Sequence, residues 1–369
     1  MKKIGFIYTI MIGLLFHSCQ TINVLPIDYL VPADISFPSQ IKRVAIVNNA
    51  SESPGRIHSA ADSTLLEKTN GFYEMYMVNG DPQITTEALA EAIAAENYFN
   101  EVIICDSVLR AGSPPVEKSL LNKETVGELT KLLDVDMLIV LEGIQIGVQK
   151  QVYPVNEAGY LGNINVKVHP RVNLYIPSRH SPLVMINGND SIFWEGYANT
   201  PLNARTKVIS DEQLIKEASD FAGSVPIKYM TPHWKTVNRY IFINGSSAMR
   251  DAAFFVQSKN WDKAFALWER DYETQKGKKK AKIASNISLY YEMKDDLEKA
   301  EEWGKKAVEI MKAIYNITDD SILVGALLSN DFMCIYYNLA DLSKRVDNFA
   351  KLKMQMDRFE DDFQPDSLD

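Results

Sequence analysis

Few residues of this 369-residue chain are spaced for covalent or acid–base chemistry. It holds no Gly-x-Gly-x-x-Gly, Walker A loop, Gly-x-Ser-x-Gly or His-Glu-x-x-His. Those patterns put backbone donors on a phosphate, a nucleophile on a tight turn, or two imidazoles on zinc. Ser39 and Lys42 in "SQIK" have the Ser-x-x-Lys spacing of penicillin-recognising enzymes. They stand at a strand edge where that chemistry needs a helix start, and neither Ser-Asp-Asn nor Lys-Thr-Gly follows. His169 and His180 lie eleven residues apart on strand-like sequence, with no acidic neighbour to complete a metal site. With His58 and His233 they read as structural histidines. Asp134 and Asp136 in "DVD" could share one strand face, but a helix end followed by a strand start explains both. No catalytic residue, metal ligand set or cofactor is expected.

Cys19 has a clearer chemistry. Lys2 and Lys3 precede an apolar stretch from Ile4 to Phe16, interrupted only by Thr9, and Ser18-Cys19 follows. A short basic segment, an apolar core too short to span a bilayer and a small residue before the cut describe a secretory signal. A cysteine directly after that small residue predicts a bacterial lipoprotein whose mature chain begins at lipidated Cys19; simple secretion is the rival. Several acyl chains hold a protein where one binds reversibly. Gln20 follows the cysteine, in place of an inner-membrane retention aspartate, so the expected address is the outer membrane, facing the periplasm.

Composition narrows the partners. The net charge is −9, and removing residues 1–18 takes away Lys2 and Lys3 and no acid, leaving −11. That balance, with no basic stripe, makes the chain a poor candidate for nucleic acid or for anionic lipid head groups. "KGKKKAK" (Lys276 to Lys282) is the one strong basic run. It could meet phospholipid or glycan phosphates, but a solvated loop between helical hairpins is the preferred reading. Cys105 and Cys334 sit in apolar runs and read as small core residues.

The elements that must position any site follow from periodicity. Residues 19–40, with Pro26, Pro32 and Pro38, read as a lipidated spacer after the signal peptide at 1–18. Over 41–240 an α/β (or α+β) domain with a mixed sheet is expected. "IKRVAIVNN", "EVIICDSVL" and "VDMLIVLEGIQIGV" are strands, the last apolar on both faces. "INVKVHPRVNLYI" and "SIFWEGYA" alternate as half-buried antiparallel strands do. "ITTEALAEAIAAENYF", "NKETVGELTKLL" and "SDEQLIKEASDFAGSV" are helices, capped in the first by Thr85 or Thr86 and in the last by Ser210. Residues 51–80 read as a long excursion with a short helix near Leu65. Trp234, in "TPHWKTVNRY", reads as a packing plug at the junction, with a ligand platform as the alternative.

From 241 to 369 the pattern is all helical. "AAFFVQSKNWDKAFALWERDYE" and "ASNISLYYEMKDDLEKAEEWGKKAVEIM" are helical hairpins in which Ala264 and Ala300 correspond, 36 residues apart. Small residues recur where arms must approach, at Ala252 and Ser288 and at Ala264 and Ala300. This resembles the tetratricopeptide repeat, although Ala248 and Ala284 replace its tryptophan and no proline follows either pair. Residues 320–360 are expected to add a last, divergent helix pair. The resemblance implies a concave groove for a peptide, lined by Met249, Ala253 and Val256 from the first pair. Lys282, Ser285, Leu289, Glu292 and Met293 would line it from the second; divergent C-terminal helices covering that face is the alternative.

The overall plan resembles a family of Bacteroidota lipoproteins of unknown function with a tetratricopeptide-like tail, on Ser18-Cys19, "IKRVAIVNN" and "VPIKYMTPHWKTVNRYIFI". More distantly, the order of residues 41–224 is similar to the periplasmic core of curli-secretion lipoproteins and of lipoprotein activators of peptidoglycan synthases. The expected role is a non-enzymatic interaction or scaffold module in an envelope assembly, anchored through its N-terminal lipid and binding an envelope protein or peptide. The rival is a cell-envelope glycan or peptidoglycan hydrolase, which an acidic pair in a deep pocket would favour.

Overall fold

The structure is a computed structural model describing residues 22–50, 56–58, 72–105, 120–155, 159–318 and 329–358. Cys19, the signal-like segment and Leu65 lie outside them. The described residues form two compact units, each taken by itself here. One runs from Ala33 to Pro232 and includes residues 357–358. The other joins the segment up to Pro32 with His233–Met356.

The first unit is built on one long hairpin. Strands β6 (Met137–Pro154) and β7 (Tyr160–Tyr175) pair antiparallel from Leu138↔Tyr175 to Pro154↔Tyr160. Along the other edge of β6 lie β2 (Arg43–Asn48), parallel, and then β4 (Phe72–Asn79), antiparallel. Strand β5 (Glu101–Cys105) extends the parallel half beyond β2, and β3 (Arg56–His58) pairs with β4. Strands β8 (Val184–Asn187) and β9 (Asp190–Ala198) share the outer edge of β7.

Both faces of the parallel half are covered. Val44 and Ile46 of β2 face one core while Ala45 and Val47 face the other. Burial on both sides is why this strand reads as an unbroken apolar run. Helix α1 (Pro82–Ala95) brings Leu89 and Ile93 to the first face. Helix α2 (Lys123–Leu133) brings Val126 and Leu129 to the second. Two short helices, α3 (Pro201–Thr206) and α5 (Ile227–Met230), flank α4 (Asp211–Ser224). Helix α4 packs beside α1 so closely that a Cβ on Gly223 would lie 2.6 Å from Ala88 Cβ. Strand β6 supplies Met137, Ile139 and Leu141 to the first face, then Ile144, Ile146 and Val148. The alternation changes phase at Glu142, where the register with β7 shifts. One extra residue keeps the second half of the strand facing the same core.

In the second unit, α6 (Ser247–Gln257) and α7 (Trp261–Thr274) form one helix pair. Helices α8 (Gly277–Met293) and α9 (Leu297–Tyr315) form the next, and α10 (Asn330–Met356) follows. The turn inside each pair repeats. Lys259 and Asp295 both take the left-handed conformation, at φ 57°. Each is followed by a cap, Asn260 on Lys263 N and Asp296 on Lys299 N. Ala252, Ser288, Ala264 and Ala300 are all buried, as close approach of the arms requires. The Ser288 hydroxyl donates to Ala300 O at 2.6 Å.

Several expectations are corrected. Ile22–Val31, read as spacer, is strand β1, paired in full register with β10 (His233–Phe242) from Ile22↔Phe242 to Val31↔His233. The helical unit therefore includes a two-stranded ribbon, one strand of which precedes the α/β unit in the chain. The excursion at 51–80 contains β3 and β4. Helix α1 is capped by Asp81, whose carboxylate accepts from Gln83 N and Ile84 N; Thr85 and Thr86 hydroxyls donate to backbone carbonyls inside the helix. Ser210 caps α4 as expected. The basic run at 276–282 opens helix α8 and is not a loop. The C-terminal segment contributes one 27-residue helix, residues 319–328 lying outside the described residues.

Candidate functional site

The face expected to form a peptide groove is occupied by the chain itself. Strand β10 runs along α8 in extended form, and two asparagines clamp its backbone. Asn286 accepts from Phe242 N at 2.9 Å and donates to Phe242 O at 2.7 Å. Asn338 of α10 does the same at Tyr240, at 2.9 and 2.7 Å. A side-chain amide pairs with both backbone groups of one residue in this way, as a neighbouring strand would.

Met249, Ser285, Leu289 and Glu292 are buried, and Ala253 and Val256 are half-buried. Lys282 is paired with Asp331 at 2.8 Å. Glu292 binds Arg239 of β10. Of the eight residues expected to line the groove, Met293 alone is exposed. Ser285, Leu289 and Glu292 are core, on the α8 face where β10 and α10 are hydrogen-bonded.

An open site lies elsewhere on the helical unit. A cavity of about 270 Å³ is walled by the end of β1 (Asp28 to Pro32), by Trp234 of β10 and by Arg345, Phe349 and Leu352 of α10. Trp234 is 72% exposed where it lines this cavity. Phe349 is 51% exposed. The Arg345 guanidinium lies 4.7 Å from the centre of the Tyr29 ring and donates to Asp295 at 2.6 Å. The cavity thus joins aromatic faces to a cation whose charge is already balanced. It can take a flat or apolar group with a polar edge.

In the α/β unit, polar side chains gather at the carboxyl end of β2 and the bulge of β6. Glu142, at the bulge, accepts from Asn49 Nδ2 at 2.7 Å, from Asn173 Nδ2 at 3.1 Å and from the Tyr175 hydroxyl at 3.0 Å. Burial pushes that hydroxyl up to about 12, so it stays a donor at neutral pH. Connections leave β2 for β5 by α1 on one face and return to β6 by α2 on the other. Such a switch point opens a crevice at the strand ends, the usual place for a ligand in open α/β sheets. Three neutral donors around one carboxylate make a polar floor, not an acid–base pair. An open concavity on the same unit has Glu91, Glu217 and Asp220 on its walls beside Ala88, Ala92 and Phe221. Glu217 there already accepts from Trp194 Nε1 and Gln213 Nε2.

The remaining candidates stay apart. Ser39 lies in a turn ahead of β2. His169 is half-buried on β7 and His180 is exposed. Among the described residues no group of three or more His, Cys, Asp or Glu could hold a metal. Asp134 ends α2 in the left-handed conformation, and Asp136 accepts from Lys42 N and Arg43 N ahead of β6. Cys105 and Cys334 are free thiols. No described helix is long and apolar enough to cross a membrane.

A family model described as a domain of unknown function (DUF8603) matches residues 41–242. A second, also of unknown function (DUF6340), matches residues 250–326. No curated protein matches the chain. Among solved structures, the hypothetical protein CT253 from Chlamydia trachomatis is aligned over 50% of this chain and 97% of its own length. The identity is 9% and the TM-score 0.21, too low to bear on fold or function.

Proposed function

The chain belongs to the DUF8603 family, and on that premise we propose that it is a lipid-anchored interaction module of the bacterial envelope. Its recognition surface is the Trp234–Phe349 cavity, and its partner is a protein or peptide segment that offers an apolar or aromatic anchor. The observation that carries this reading is the exposure of Trp234, 72%, on the wall of a preformed cavity. An exposed tryptophan beside a depression is the kind of side chain that dominates binding energy in protein interfaces. The N-terminal pattern ending in Ser18-Cys19 supports export and acylation, with the outer membrane as the address and the periplasm as the side faced. The 36-residue helix pairs support a tetratricopeptide-type scaffold, in which the peptide face is filled by β10 and a partner binds beside it. The test is recovery of the partner from solubilised envelopes by the full chain and by W234A. Anchoring is tested apart from it: C19S should leave the membrane fraction.

A further inference from the structure

We propose that the lysines opening α8 rest on the anionic phospholipid head groups of the leaflet that holds the N-terminal lipid, and so set how the helical unit meets the membrane. This builds on the lipid-anchor reading above. Strand β10 runs antiparallel to α8: Arg239 meets Glu292 near the end of the helix, and Phe242 meets Asn286 further back. The Lys282 ammonium lies 5.3 Å from the centre of the Phe242 ring. Ile22, the start of β1, pairs with Phe242. The amino end of β1, at Ile22, therefore lies on the side where α8 begins. Three residues reach at most about 10 Å. From Lys282 back to Gly277 the helix rises about 7.5 Å. An anchor at Cys19 would therefore act on the chain three residues ahead of the ribbon end that neighbours the start of α8.

That turn carries the densest positive charge of an acidic chain. Lys276, Lys278 and Lys279 are exposed and Lys280 is half-buried, with no acid between 276 and 282. Lys282 is paired with Asp331 and is not counted among them. The Lys278 and Lys280 ammonium groups lie 5.0 and 4.2 Å from the ring centres of Tyr315 and Tyr272. Long basic side chains lying over amphipathic rings are suited to the head-group region. The acyl chains hold the protein at the bilayer, and the lysines choose which side of the unit faces it. Each lysine near an anionic surface favours that orientation by about fivefold.

The acylated full chain, its mass at Cys19 first verified, is reconstituted in vesicles of phosphatidylcholine with or without phosphatidylglycerol and treated with an amine-reactive label. Labelling at Lys276, Lys278, Lys279 and Lys280 should fall at least about fivefold with phosphatidylglycerol. It should return at high salt, while Lys344, on α10 of the same unit, stays unchanged. Equal labelling in the two lipids overturns the proposal. K276Q/K279Q, which alters two exposed side chains, should melt like the parent and raise labelling of Lys278 severalfold on the anionic vesicles; undiminished protection would count against the lysine face. A chain bearing no acyl group refutes the anchor alone. The lysines are then tested by salt-sensitive sedimentation of that chain with the anionic vesicles, and absence of binding overturns the proposal.

Discussion

Arg239 and Glu292 meet in a two-bond fork, Nε to Oε2 at 3.0 Å and Nη2 to Oε1 at 2.9 Å, with both side chains sealed from solvent. Arg345 Nη1 approaches the same carboxylate at 3.4 Å, and Asp341 lies 3.5 Å from Arg239 Nη1. Buried charges are tolerated when paired and hydrogen-bonded like this. The pair also has a positional effect. Side chains alternate along a strand, so a slip of β10 by one residue would turn Arg239 away from Glu292. It would also move Tyr240 and Phe242 off their asparagine clamps.

Removing one member should therefore cost far more than removing both. E292A leaves a buried guanidinium without its main partner and is expected to lose about 3–5 kcal/mol. R239M/E292L should recover much of that loss, since an apolar pair of similar volume is often neutral. Urea unfolding of the two variants decides the matter. Equal destabilisation would show that the charges act independently.

The contacts between helix arms give a second expectation. Ala264 and Ala300 are fully buried at equivalent places in the two pairs. A264W or A300W should lower stability by about 1–3 kcal/mol or more through overpacking. Thermal melts of both variants that match the parent would contradict the assigned correspondence.

How much of this was legible depends on the range of the interactions. Strands β2 and β6 are apolar runs because both faces are buried, and their composition alone reveals them. Strands β1 and β10 carry polar residues such as Asp28, Lys235 and Asn238 and look like linker. They are held by their pairing across the chain and by Asn286 and Asn338, 44 and 98 residues from the backbone groups they clamp. The groove residues fall on α6 and α8, but nothing local says that β10 lies along α8. Around the β6 bulge, Asn49 just after β2, Glu142 of β6 and Tyr175 of β7 come from separate stretches of the chain. The one available signal was Glu142, an acid interrupting "MLIVLEGIQIGV" where the bulge falls.

Tyr175 gives a pH-dependent expectation. Burial pushes its hydroxyl up to about 12, whereas an exposed tyrosine titrates near 10, roughly. Between those values the unfolded chain binds fewer protons than the folded one, so stability falls as pH rises through that window. Y175F should be less sensitive to pH there than the parent, measured as the urea midpoint. Identical pH slopes would contradict a buried, protonated Tyr175.

The most direct test of the interaction reading is partner recovery by W234A/F349A set against its thermal melt. Both side chains are more than half exposed, so their truncation should leave the melting temperature within a few degrees, roughly the surface-substitution range. Loss of a central aromatic contact should weaken binding by about 2 kcal/mol or more, some thirtyfold. Full chains of the parent and the variant, extracted from the same envelopes, are compared for the amount of each co-purifying protein. The account predicts one partner that is strongly depleted from the variant at an unchanged melt. Undiminished recovery of every partner by a folded variant would contradict it.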